Sequence, residues 1–516
     1  MLTGEEIAKH RSAASCWVVI DGKVYDVTSY LGEHPGGPAI LLRQGGTDAT
    51  AEFSKIHSPD ILEYLPKGSL LGTIDATTST ALPKNTALSE SSPSSSSSTS
   101  DDKEATGPPH IATMAQPNDF EAAAKIVMPH IVYTFTSSSS HDGSSHRGNL
   151  ASWQRIRFRP QIFMDVASPA PQTQILGFPS AFPFYMAPMG AMGRAHPGNE
   201  IATVRALARR GIHGVTSSES TSRMEDIAAA FADEKAKIAA ERSKQNGNKE
   251  TTADEEEQRP EAQLHFQLYV PGDKAIAAQR IRRARATGVF KSIWVTVDTP
   301  VLGKRTGDRR LQAQEALALP PAPAFDVSAN AELAAFGGLS HIKNTQFNQQ
   351  LTWADLEWIV KEWGPGNPVV LKGVQSAADA KKAADAGCAG ICLSNHGGRQ
   401  MHNAPDALTT LLEIRAYYPR VLDKLQVFVD GGCRDGADVL KAVCLGATAV
   451  GIGRPFFYAL GAYGGKGVER CCDLYADELV LGMRLGGILT LEDAQPDRVN
   501  ASSLVNEIWR PEKSLL

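Results

Sequence analysis

A chain of 516 residues with a formal net charge of −5, 42% hydrophobic and 21% charged residues, is long enough for at least two cores at roughly 100–200 residues per domain. The near balance of charge excludes a basic nucleic-acid-binding surface, and no apolar run approaches the roughly 20 residues that a membrane span needs. The seven cysteines, at positions 16, 388, 392, 433, 444, 471 and 472, are odd in number and form no Cys-x-x-Cys pair. Neither a disulfide framework nor a zinc site is therefore expected, and a reducing compartment is. Residues 1–9 mix acids and bases without an apolar or Arg-rich leader, which makes the cytoplasm the default expectation.

In chain order, Trp17-Val18-Val19-Ile20 and Lys23-Val24-Tyr25-Asp26-Val27 read as two strands joined by an Asp21-Gly22 hairpin turn. His34-Pro35-Gly36-Gly37 follows, and His57 lies 23 residues beyond His34. Ile40, Leu41, Leu42, Phe53, Ile56, Ile61 and Leu62 can line an apolar slot between them. Two neutral imidazoles facing each other across such a slot would ligate heme iron on both axes and leave no open position; the plainer alternative is two unrelated surface or capping histidines. Residues 4–75 resemble a cytochrome b5 domain. That resemblance implies heme b with His34 and His57 as axial ligands, and one-electron transfer as the role.

From Thr77 to about Gly107 the sequence is dominated by Ser, Thr and Pro, with too few apolar residues for a core, so a flexible linker is expected. The expected division is a heme-binding domain over 1–76, a linker over 77–111 and a large domain over 112–516. Within the last, the polar stretch 233–263 reads as a solvated surface insertion.

The large segment alternates short apolar runs with helical stretches. Strands are expected at 183–187, 214–217, 265–270, 292–297, 369–372, 390–393, 427–429 and 449–452. Continuous apolar runs of this kind are what a parallel sheet buried on both faces requires. Eight such units predict an α/β fold, a (β/α)8 TIM barrel, with functional groups at the C-terminal mouth. The small α+β domain precedes it.

Directly after the sixth run comes Ser394-Asn395-His396-Gly397-Gly398-Arg399-Gln400. The histidine can take a proton and the arginine can hold a carboxylate through two hydrogen bonds, while the glycines let the backbone approach a flat cofactor. This heptapeptide, with Gln267-Leu268-Tyr269, Thr296-Val297-Asp298-Thr299-Pro300, Leu371-Lys372-Gly373 and Val429-Asp430-Gly431-Gly432-Cys433-Arg434, resembles the FMN-dependent α-hydroxy-acid dehydrogenase and oxidase family over residues 119–510. The resemblance implies His396 as the base, Asp298 as its carboxylate partner, and Arg399, Arg305 and Tyr269 as substrate-binding groups. It implies FMN held by Ala187, Pro188, Met189 and Gly190 against the ring, with Ser217, Gln267 and Thr296 at its polar edge. Lys372 falls beside the N1–O2 edge, Asp430 by the ribityl chain, and Gly431, Gly432, Arg434, Gly453 and Arg454 around the phosphate.

Two substrate-facing positions depart from the family. Its paired tyrosines fall on Phe135 and Thr136, so the first cannot donate a hydroxyl to the substrate carboxylate. A wall position that is usually bulky and apolar is Glu219, where a carboxylate is unfavourable unless neutralised or turned away. The expected activity is oxidation of an L-2-hydroxy acid, lactate-like but larger or more polar, to the 2-oxo acid. Electrons would go through the heme to cytochrome c or another one-electron acceptor, as in cytochrome-linked members. Proton abstraction from the hydroxyl and from the α-carbon both remain open. Alternatives are an oxygen-reducing oxidase and a heme electron carrier on an inactive barrel. The family implies a homotetramer, and for its cytochrome-linked members the mitochondrial intermembrane space; no membrane span or nucleic acid partner is expected.

Overall fold

The computed structural model describes residues 1–34, 38–83, 107–246, 260–317 and 347–510. The chain divides into two compact units, residues 1–108 with 308–346 and residues 109–307 with 347–516.

In the smaller unit, strands Ser15–Ile20 and Lys23–Asp26 pair antiparallel around Asp21 and Gly22, whose φ values of 49° and 73° are both left-handed. A two-residue hairpin that follows the natural strand twist needs that backbone. Arg11–Ser12 and Leu70–Thr73 complete a four-stranded sheet. Strand alternation sorts its side chains. Cys16, Val18, Ile20 and Tyr25 join Leu31 and Ala49 in one apolar cluster, against which Leu41, Leu42 and Phe53 of helices Pro38–Gln44 and Thr50–Ile56 pack. Val19, Val24 and Ile7 form the cluster of the opposite face. The expected Pro35-Gly36-Gly37 turn lies outside the described residues.

The expected linker start at Thr77 is corrected. Thr78 accepts a 2.9 Å hydrogen bond from the Gly4 amide, and Leu82 packs against the Ile7 cluster. A Cβ on Gly4 would come within 2.2 Å of the Thr78 carbonyl, so the glycine is what admits this segment. Residues 84–106, most of the expected linker, lie outside the described residues.

The larger unit is a closed barrel of eight parallel strands: Phe184–Met186, Gly214–Ser217, Leu264–Leu268, Phe290–Thr296, Val369–Val374, Gly390–Leu393, Gln426–Asp430 and Ala449–Ile452. Each pairs with the next, and the eighth closes on the first. Outward residues such as Phe266, Val295, Leu371 and Val427 join the main core beneath the surrounding helices. Inward residues Tyr185, Val215, Trp294, Val370, Cys392, Phe428 and Ala449 fill the interior. Hairpin strands Thr173–Ile175 and Phe178–Ser180 bring Ile175 and Leu176 to that interior cluster, where Gln426 at the start of the seventh strand accepts from the Leu176 amide at 2.7 Å. The N-terminal end is thus closed, and only the C-terminal mouth is left for a site.

The expected polar stretch from 233 begins inside a helix, and one of its residues, Glu234, is buried. Met224–Asn246 is one helix, the second of the barrel, with Ile227, Ala230 and Phe231 buried at helical spacing. Glu234 is only 4% exposed and accepts a 2.6 Å bond from the Arg209 guanidinium. Residues 247–259 lie outside the described residues.

Candidate active site

Every barrel strand delivers a group to the mouth at or just past its C-terminal end: Ala187, Ser217, Gln267 with Tyr269, Thr296 with Asp298, Lys372, Ser394 with His396, Asp430, and Gly453 with Arg454. Three of these form a polar ribbon across adjacent strands. Ser217 Oγ donates to Gln267 Oε1 at 2.9 Å, and Gln267 Nε2 donates to Thr296 Oγ1 at 2.8 Å. Beside it, Lys372 is 5% exposed, with Nζ 2.9 Å from Asp430 Oδ2 and 3.0 Å from Ser394 Oγ. Burial works against the ammonium charge, but the neighbouring groups, Asp430 foremost and Asp298 with it, together outweigh it, so the lysine pKa is raised and the group stays cationic.

The His396 loop is built by its own side chains. Asn395 Oδ1 accepts from the Gly398 amide at 3.0 Å, Ser394 Oγ accepts from the His396 amide at 3.0 Å, and His396 itself sits at a left-handed φ of 60°. Asn395 and Asn149 exchange reciprocal 2.7 Å amide bonds that tie the loop to helix Ser144–Arg155. His396 Nδ1 lies 3.0 Å from Asp298 Oδ1, and Nε2 lies 3.2 Å from the Tyr269 hydroxyl. Burial lowers the His396 pKa more than Asp298 raises it, leaving a neutral imidazole. Burial works against the Asp298 carboxylate, but His396 and Lys372 outweigh it and hold its pKa below the usual range. Gly373 makes the approach possible, since a Cβ there would stand 2.6 Å from Asp298 Cγ. Gln400 then stitches the two loops together: Nε2 donates to the Asp298 and Val301 carbonyls at 3.0 and 2.8 Å, and Oε1 accepts from the Gly303 amide at 2.9 Å.

Phe135 falls inside this site. Arg399 Nη1 donates to the carbonyls of Phe135, Thr136 and Ser138 at 2.8, 3.0 and 2.8 Å. The guanidinium carbons of Arg194, Arg399 and Arg305 lie 4.4, 5.2 and 5.8 Å from the Phe135 ring centroid. Glu219 is half-buried, and its Oε1 lies 3.6 Å from Nη1 of Arg280, a residue 2% exposed on helix Lys274–Ala286. Its charge is thus balanced from behind the pocket wall. Gly190 closes that wall: a Cβ there would lie 2.7 Å from the Glu219 carbonyl, which accepts from the Ala191 amide at 2.9 Å.

A second cationic cluster lies where the last two strands end. Gly431 and Gly432 have φ of 90° and 91°, and a Cβ on Gly432 would meet the Asn149 carbonyl at 2.2 Å. Arg454 donates to the Thr136 and Gly397 carbonyls at 3.0 Å each, and its Nη1 lies 3.0 Å from His146 Nδ1. Burial, with Arg434 adding to it, lowers Arg454 to about 10. Burial followed by Arg454 and Arg434 lowers His146 to about 3, so its Nδ1 is a neutral acceptor. The buried Tyr458 hydroxyl has no hydrogen-bond partner among the described residues. Glycine-rich backbone, two guanidiniums and an unmatched hydroxyl are donors that suit a phosphate dianion. Sequence reading missed Arg194, Arg280, His146, Asn149 and the role of Gln400. Arg280 alone left a visible mark, as an arginine on the same helical face as Ala277, Ile281 and Ala284.

In the smaller unit, the ring centroids of His34 and His57 lie 6.0 Å apart. His57 caps helix Thr50–Ile56, and the Phe53 ring stands 5.4 Å from it. Facing imidazoles beside an apolar ring suit the ligation of a heme iron, which His34 and His57 would hold.

These two sites define a class: a flavin-binding barrel dehydrogenase preceded by a heme-binding module. Residues 124–501 match the FMN-dependent dehydrogenase family, and residues 3–75 match the cytochrome b5-like heme/steroid binding domain. The chain is 34% identical to L-lactate dehydrogenase (cytochrome) of Saccharomyces cerevisiae, over 97% of this chain and 79% of that protein. It is also 34% identical to glycolate oxidase of Spinacia oleracea, over 74% of this chain and 95% of that one. Among solved structures, the flavin-binding domain of baker's yeast flavocytochrome b2 aligns with a TM-score of 0.63 at 30% identity, covering 79% of this chain and 92% of that one. A mandelate oxidase with bound (S)-2-phenylpropionate aligns with a TM-score of 0.59 at 30% identity, covering 75% and 98%. The chain therefore belongs to the FMN-dependent dehydrogenase family, with FMN and heme as its cofactors. Among the described residues no helix is long and apolar enough to cross a membrane.

Proposed function

We propose that the protein oxidises an L-2-hydroxy acid to the 2-oxo acid at the barrel mouth and passes the electrons through its heme unit to a one-electron acceptor such as cytochrome c. The observation that carries this reading is the neutral His396, backed by the Asp298 carboxylate at 3.0 Å and facing the Tyr269 hydroxyl at 3.2 Å.

Nε2 of His396 takes the substrate proton, and Asp298 stabilises the imidazolium that results. Arg399 and Arg305 bind the substrate carboxylate, and Tyr269 orients the hydroxyl against Nε2. FMN, which Ala187, Pro188, Met189, Gly190, Ser217, Gln267 and Thr296 and a phosphate site of Gly431, Gly432, Arg434, Gly453 and Arg454 would hold, would supply two-electron oxidation, and heme, which His34 and His57 would ligate, would supply one-electron relay. Lys372 places a fixed positive charge where negative charge develops on reduction. Asp430, tied to Lys372, is placed to accept from polyol hydroxyls. Phe135 and Glu219 shape the substrate wall.

The reading assigns residues 1–83 to the heme domain and residues 109–307 with 347–510 to the barrel, and the family resemblance extends it to a homotetramer. All seven cysteines are buried and form no disulfide, which suits a reducing compartment such as the cytoplasm. Relatives named as oxidases, such as the spinach enzyme, match about three quarters of this chain, whereas the yeast cytochrome-linked enzyme matches nearly all of it, which favours the cytochrome route. An absorption spectrum of the purified protein tests the whole: one L-2-hydroxy acid is expected to bleach the flavin band and to shift the heme Soret band with sharpening of its α band. A flavin that no such acid bleaches would overturn the reading.

A further inference from the structure

Lys372 is held from inside the barrel as well as from its mouth. The Asp430 oxygen that pairs with its ammonium at 2.9 Å also lies 3.6 Å from Cys392 Sγ, and the Tyr185 hydroxyl stands 3.6 Å from that same sulfur. Both are hydrogen-bond lengths for an atom as large as sulfur. Tyr185 of the first strand, Cys392 of the sixth, Asp430 of the seventh and Lys372 of the fifth thus form one line of polar groups, all of them buried. Its direction is fixed by chemistry. A carboxylate only accepts, so the single thiol proton goes to Asp430, and the tyrosine hydroxyl donates to the sulfur. Burial pushes the Cys392 thiol up and the Tyr185 hydroxyl well up, so both keep their protons. A Cβ on Gly451 would stand 2.7 Å from the Tyr185 hydroxyl oxygen, so that glycine is what leaves room for it. The neighbours of the pair in the barrel interior include Val215, Val370, Phe428 and Ala449, whose packing does not call for a thiol and a hydroxyl.

We infer that Tyr185 and Cys392 are positioning residues for the flavin chemistry: donating in line to Asp430, they take up part of its negative charge, leave the Lys372 ammonium less neutralised, and so raise the reduction potential of the flavin. The inference rests on the reading that Lys372 faces the N1–O2 edge of the flavin, and adds what tunes that charge from behind. Donors linked in a chain polarise one another in a low-dielectric interior, and charge beside the ring is one of the protein's levers on a bound flavin.

The test is spectroelectrochemical titration of the flavin in the full-length holoenzyme. Titration with sulfite, an anion that adds to oxidised flavin and leaves the ring negative, gives a second readout, and neither measurement needs a hydroxy acid. Cys392→Ala removes the donor; it should weaken sulfite binding by about threefold or more and lower the midpoint potential by about 14 mV or more, a threefold change for a two-electron couple. Cys392→Ser keeps a donor and should return both readouts to the native values or beyond them. Tyr185→Phe removes only the far donor and should shift both in the direction of the alanine variant, by less. Alanine and serine variants that shift the readouts alike, as a packing defect would, overturn the inference, as does an alanine variant that shifts neither. Should the alanine variant fail to fold, Tyr185→Phe decides, and no fall in either readout overturns the inference. Lys372→Gln separates the inference from the reading beneath it. If that change moves neither readout, Lys372 does not face the flavin and the reading itself fails; if it moves them while the Cys392 and Tyr185 variants do not, the inference alone falls.

Discussion

The barrel and the heme unit build their sites in opposite ways. The barrel collects one group from each of eight strand ends and locks them to each other: Ser217 to Gln267 to Thr296, Lys372 to Asp430, His396 to Asp298, Arg399 to three carbonyls. The heme unit presents two histidines from loop and helix ends, 23 residues apart, beside leucines and a phenylalanine that are only half-buried. A site whose polar groups are satisfied by protein is preformed, whereas a slot lined by half-buried apolar side chains is completed by its ligand, which binds the folded state and so stabilises it. The comparison teaches that the flavin site is held together by the barrel's own hydrogen bonds, while heme bound between His34 and His57 would add apolar contacts to the small unit.

Breaking the comparison at its sharpest point means separating the two sites. Replacing His34 by Ala should abolish cytochrome c reduction and the heme absorption band and lower the melting temperature of the small unit, while substrate still bleaches the flavin. Replacing His396 by Asn should do the reverse, cutting flavin reduction by about 10²–10⁴-fold in rapid-mixing traces with the heme band untouched. The barrel's preformed electrostatics give a third test. Replacing Arg280 by Met strands the half-buried Glu219 carboxylate, and urea unfolding should show a loss of about 2 kcal/mol, less than a fully buried pair would cost because Glu219 is partly solvated. Replacing Glu219 by Gln in the same background should recover part of it.

The pH profile sharpens the same point. A base must be neutral, and burial depresses the His396 pKa below its ordinary value. Flavin reduction should therefore be flat around neutrality and fall only as pH drops through that depressed pKa; a midpoint at or above the ordinary histidine value would contradict the buried geometry. The smallest effect is expected at Phe135. Phe135→Tyr restores a donor next to the arginines and should lower KM for simple monoacids by up to about tenfold, roughly the worth of one hydrogen bond to a charged group.

All eight barrel strands were legible because a sheet buried on both faces writes itself as short apolar runs, and each observed strand lies within two residues of the expectation at either end. The residues of the mouth were legible where they follow those runs in glycine-marked motifs. What escaped was long-range. Arg280 shows its purpose only when its helix packs behind Glu219, and Arg194 only when the first loop folds over Phe135. Glu234, inside the stretch read as solvated from its polar composition, is buried because Arg209 pairs with it from a distance in sequence. Charge runs reveal solvent exposure only when their partners are near in the chain.

Gln400 has a consequence for engineering. One amide pins the loop that carries Asp298 to the loop that carries His396, through bonds to Asp298, Val301 and Gly303. The proton acceptor and its counter-charge are therefore a single transplantable cassette: shuffling segments between homologous barrels should preserve activity when both loops come from one parent, and lose it when the crossover falls between them.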